Sequence, residues 1–149
     1  MIDLSFGYRG VPGMLSLEDA LTIQISVRRA TPGHAVVEMG AWCGRSLAAI
    51  CDVAHSRVQV FSYDNYLEDS QAVGEGEAVG TPMGPATATA PITPQVAKRI
   101  RDVVAKHYFS LGVNVEVAVE EASKAGQFYN GPPISVLFID DHHSAEQLE

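Results

Sequence analysis

The chain has 149 residues, 46% of them hydrophobic, with 18 Asp and Glu against 10 Lys and Arg and a formal net charge of −8. This is one domain with enough apolar material for a core. The acidic balance, with no basic cluster beyond Lys98, Arg99 and Arg101, argues against a binder of nucleic-acid backbone. No run approaches the ~18 apolar residues of a membrane span, and no basic segment followed by an apolar stretch opens the chain, so no membrane partner and a cytoplasmic location are expected.

In chain order, Ser16-Leu17-Glu18-Asp19 has the form of a helix N-cap with an acid at N3. It predicts a helix to Arg29, stopped by Thr31-Pro32-Gly33. Leu21, Ile23, Ile25 and Val27 alternate with polar residues, a strand pattern that conflicts with the cap; the cap is given precedence. Ala35 to Met39 is the first predicted strand, Arg45 to His55 a crossover helix, and Val58 to Tyr63 a second strand ending at Asp64. Pro94 to Phe109 follows as a helix with Val96, Ile100, Val103 and Val104 on its apolar face and Lys98, Arg99, Arg101, Asp102 and Lys106 on its solvent face. Val113 to Val119 is strand three, Ala122 to Phe128 a short helix, and Ile134 to Ile139 strand four, a near-continuous apolar run suited to a parallel sheet. Strands alternating with helices imply βαβ units and an open parallel α/β sheet with helices on both faces. Residues 66–93, rich in Gly, Ala, Thr and Pro, read as a disordered connection or a mobile lid; their position after strand two favours the lid.

The most informative stretch runs from His34 to Ile50. Gly40 and Gly44 let the backbone turn sharply and approach a ligand, and the following helix offers unpaired N–H groups. Glu38 points a carboxylate toward the same crevice, which disfavours a pyrophosphate. The spacing is neither the dinucleotide G-x-G-x-x-G nor a P-loop, so a nicotinamide enzyme is a weak alternative. Cys43 and Cys51 are the two cysteines, too few for a disulfide framework or a zinc site. Cys43 is either a reactive thiol or, as is favoured, a small residue packed beneath the loop.

The loop resembles motif I of class I S-adenosylmethionine-dependent methyltransferases. The match is to the small-molecule O-methyltransferase-like subgroup reading E-x-G-x-aromatic-x-G-x-S, with Glu38, Gly40, Trp42, Gly44 and Ser46 at every position. The resemblance implies a Rossmann-like sheet of order 3-2-1-4 and a cofactor crevice at the strand ends. Asp64, 26 residues after Glu38 and ending strand two, is placed to accept both ribose hydroxyls, by the logic of dinucleotide folds. Glu121 and Ser123 fall where relatives flank the adenine, although an acidic helix start explains them equally. Phe138-Ile139-Asp140-Asp141-His142-His143-Ser144 is similar to the subgroup's I-D-G-x-H-S-Y: Asp140 and His143 match, whereas Asp141 replaces the glycine and Ala145 the tyrosine.

Methyl transfer from a sulfonium is an in-line displacement that asks the protein to align the reactants and remove a proton. His143 or His142 is a candidate base and Asp140 its orienting partner. Asp140 with Asp141 can also supply oxygen ligands to Mg²⁺ or a similar divalent cation. The resemblance covers about two-thirds of a typical member's domain, so the chain reads as truncated after strand four, with Leu148-Glu149 a possible vector remnant. Strand four then forms an exposed apolar edge, and a homodimer or higher oligomer that buries Ile134 to Ile139 is expected. Two functions follow: a methyltransferase acting on a small molecule, or a non-catalytic module that keeps the cofactor half of the fold.

Overall fold

The computed structural model describes residues 2–66 and 92–140, apart from the Ser123 side chain. Residues 67–91 of the expected 66–93 lid, and Asp141, His142 and His143, lie outside the described residues. The order of elements is a 3₁₀ segment Leu4–Gly10, α1 Leu17–Arg28, β1 Ala35–Met39, α2 Arg45–Ala54, a 3₁₀ turn His55–Arg57, β2 Gln59–Asp64, α3 Pro94–Ser110, β3 Asn114–Val119, α4 Ala122–Phe128 and β4 Ile134–Ile139. The strands form one sheet in the order β3-β2-β1-β4 with every pair parallel, the Rossmann-like arrangement expected from the sequence.

The helix–strand conflict over residues 21–27 resolves as helix. Ser16 caps α1, its hydroxyl accepting from the Asp19 N–H at 3.0 Å, and Ala20, Ile23 and Val27 turn inward at helical spacing. The cost of the alternation is visible on the opposite side, where Leu17, Leu21 and Ile25 form an exposed apolar stripe at i, i+4, i+8. Side chains alternate across the sheet. Val36 and Val60 face the main core under α1, α2 and α3, whereas Ala35, Val37, Phe61 and Tyr63 face a smaller cluster with Ala125 of α4.

One prediction fails in α3. Its buried stripe is Ala97, Arg101, Val104, Ala105 and Tyr108, while Val96 and Val103 are exposed. The helix is rotated from the expected face, and Arg101, assigned to solvent, lies in the middle of the buried side. The reason is packing: Gly44, on the loop below, lacks a side chain, and a Cβ built there would stand 3.2 Å from the Arg101 Cα. The small residue admits α3 closely, and that approach turns Arg101 inward.

Candidate functional site

The carboxyl ends of β1, β2 and β4 meet at the glycine loop. Gly40 continues the sheet by donating to the Tyr63 carbonyl at 2.8 Å, and Asp140 does so by donating to the Met39 carbonyl at 2.8 Å. The loop then leaves the plane through three left-handed residues: Gly40 at φ 91°, Trp42 at φ 46° and Gly44 at φ 85°. Glycine adopts this region freely, but for a bulky residue such as Trp42 it is an outlier that surrounding contacts must hold. Gly44 is the N-cap of α2, with no side-chain cap.

Beneath the loop lies a buried polar layer. Glu38 is fully buried and pairs in register with Ser62 of β2, whose hydroxyl donates to Glu38 Oε2 at 2.6 Å. Glu38 Oε1 has no hydrogen bond of standard geometry. Burial pushes the Glu38 carboxyl up to about 7; the nearby Ser46 and Ser62 hydroxyls and Arg101 oppose the shift, and Asp64 adds to it. A buried acid without full compensation gives up its charge readily. Cys43 is fully buried, and burial with the nearby Asp64 pushes its thiol up to about 12. That is the inert, packed residue the sequence favoured, not a nucleophile.

Asp64 stands at the end of β2, as predicted, and the register places it on the same side of the sheet as Glu38. Its carboxylate is nearly buried and faces the loop: Oδ2 accepts the Trp42 N–H at 2.7 Å and Oδ1 accepts the Tyr66 N–H at 3.0 Å. Tyr66 closes the arrangement by donating its hydroxyl to the Trp42 carbonyl at 2.5 Å. Glu38, Gly40, Trp42, Gly44, Ser46 and Asp64 therefore lie on or next to the glycine loop at the carboxyl ends of β1 and β2, with Asp140 exposed at the end of β4.

Glu121 is placed differently from the rest. It is the N-cap residue of α4 and pairs with Lys124 at 3.0 Å on the surface, the acidic helix start that offered the alternative explanation. Ser123 lies in the first turn of the same helix. Among the described residues no group of three or more His, Cys, Asp or Glu is placed to hold a metal ion. No described helix is long and apolar enough to cross a membrane.

Three residues of the site escaped the sequence reading. Ser62 is a small hydroxyl in the middle of β2, legible only once the β1–β2 register sets it opposite Glu38. Tyr66 carries no local signal beyond its position two residues after Asp64. Arg101 was visible in principle, since its spacing to Ala97, Val104, Ala105 and Tyr108 is that of a helical face.

The sequence matches no protein-family profile and no curated protein. Among solved structures, the fold is similar to that of cofactor-bound Rv0187 from MTB, with a TM-score of 0.56 and 15% identity over 86% of this chain and 45% of that one. A cyclopropane-fatty-acyl-phospholipid synthase-like protein from Lactobacillus casei aligns with a TM-score of 0.39 and 16% identity, over 85% of this chain and 42% of that one. The first likeness shows the fold; the chain spans less than half the length of either neighbour.

Proposed function

We propose that the chain binds S-adenosylmethionine in the crevice at the carboxyl ends of β1, β2 and β4 and serves as a methyltransferase toward an oxygen of a small molecule. The observation that carries this reading is the meeting of the Gly40–Gly44 loop with two carboxyl groups from adjacent strand ends, Glu38 and Asp64. A structural neighbour of this fold is cofactor-bound, which is consistent with a cofactor here. Open α/β sheets bind ligands outside the carboxyl ends of their strands.

The residues present fit the group. Gly40 permits close approach of backbone to ligand, Asp64 is an acceptor for a sugar diol, and the raised Glu38 carboxyl limits repulsion beneath the loop. When bound, the cofactor supplies an electrophilic methyl group. The chain's task is then to orient the acceptor and take its proton, a role proposed for His143 or His142, with Asp140 as the orienting partner. A non-catalytic cofactor-binding module is the second reading, which binding of the cofactor without turnover of any hydroxylated acceptor would support.

We also propose that a second copy of the chain covers the free edge of β4. Among the described residues that strand pairs with β1 alone, and Leu137 and Ile139 are 49% and 57% exposed. An apolar edge of this kind favours strand pairing between molecules.

Calorimetry with S-adenosylhomocysteine, and with NAD as control, tests the ligand. The reading predicts saturable binding of the first alone; binding of NAD alone, or of neither, overturns it.

A further inference from the structure

A guanidinium with 1% exposure is unusual in a small domain, because removing such a charge from water is costly unless it is paired and hydrogen-bonded. Arg101 Nη2 lies 3.0 Å from Asp102 Oδ1, and Nη1 donates to the Ala118 carbonyl at 2.9 Å, at the far end of β3. These contacts offset its burial. They also aim the cation at a third group, the Tyr66 ring, whose centre is 4.9 Å from Arg101 Cζ, within the range of a cation–π attraction.

Tyr66 is itself in the left-handed region, at φ 49°. A tyrosine does not hold that conformation without help. The help is a closed ring of contacts: Tyr66 N–H to Asp64 Oδ1, Trp42 N–H to Asp64 Oδ2, and Tyr66 hydroxyl to Trp42 carbonyl. Two strained aromatic residues and one carboxylate fix one another, and Arg101 supports the ring of Tyr66 from α3. Bidentate recognition by a carboxylate depends on the orientation of its plane. Small errors of placement in such a site are expensive.

We infer that Tyr66, seated on Arg101, is a positioning residue that sets the Trp42 backbone and the plane of the Asp64 carboxylate, and thereby the site's selectivity for a ligand bearing a vicinal diol. The selectivity rests on the cofactor reading above; the positioning of Trp42 does not.

Trp42 is the chain's single tryptophan, so its emission reports the loop directly, without any ligand. In Tyr66→Phe the ring stays over Arg101 and the hydroxyl bond to Trp42 is lost. Arg101→Lys keeps a charge and loses the planar group that stacks on the ring. Quenching of Trp42 emission by acrylamide should rise about twofold in Tyr66→Phe as the lock loosens. In calorimetry, the preference for S-adenosylhomocysteine over its 2′-deoxy analogue should fall about tenfold, with affinity for the deoxy analogue nearly unchanged. Arg101→Lys should move both readings in the same direction, and Tyr66→Phe stands alone if the lysine variant does not fold. Unchanged quenching in Tyr66→Phe overturns the positioning role, and an equal loss of affinity for both ligands overturns the selectivity. If the parent binds neither ligand, the cofactor reading and the selectivity fall together, while increased quenching in Tyr66→Phe still supports the positioning of Trp42.

Discussion

Glu38 is the residue whose chemistry the fold alters most. Its carboxyl moves from an ordinary 4.5 to about 7 because burial penalises the charged form. In the interval between those values the native chain holds a proton that the unfolded chain has released. Stability therefore falls as pH rises through that window: the contribution is whole below 4.5 and lost by about 7. Across the window the loss is on the order of 3 kcal/mol. Glu38→Gln, which preserves an acceptor for the Ser62 hydroxyl, should remove this dependence. In urea titrations it should match the parent near pH 4 and exceed it above pH 7; a parent whose stability relative to the variant does not change with pH would contradict the account. At this scale the sequence was informative where a residue type is tied to a turn, as at Gly40 and Gly44. It was silent where meaning comes from a cross-strand partner, as at Ser62, and misleading at Arg101, where charge pointed to solvent while helical spacing pointed inward.

Among the elements, α1 shows how a single cap outweighs a misleading pattern. Four alternating apolar residues argued for a strand, yet the Ser16 hydroxyl engages both the Asp19 N–H and the Asp19 carboxylate, at 3.0 and 2.6 Å. Ser16→Ala should lower stability by about 1 kcal/mol, the usual value of an N-cap. A thermal melt is the measurement, and an unchanged midpoint would show that tertiary packing alone sets the start of the helix. The elements of the core were legible because the helical and strand periods differ so clearly. The face of α3 was not, because a buried arginine breaks the rule that charged residues lie outside. Its orientation depends on the absent side chain of Gly44, a contact 57 residues away in the chain.

For the whole molecule, the alternation of helix and strand accounts for the parallel pairing, while the order β3-β2-β1-β4 is the one the family resemblance implied. Among the described residues this order leaves β4 at one edge with Leu137 and Ile139 exposed, and α1 nearby with its stripe of Leu17, Leu21 and Ile25. Light scattering should find a dimer in solution, and Leu137→Lys should shift it toward monomer by placing a charge on the apolar edge. A monomeric parent at high concentration would contradict the pairing. The central claim, however, is that the strand ends of β1 and β2 hold S-adenosylmethionine. Its most direct test is a ¹H–¹⁵N titration of the chain with S-adenosylhomocysteine. The account predicts saturable shifts concentrated on the amides of Gly40, Trp42, Gly44 and Tyr66 and abolished by Asp64→Ala. Shifts confined to residues away from the loop, or a spectrum unchanged at saturating ligand, would contradict it.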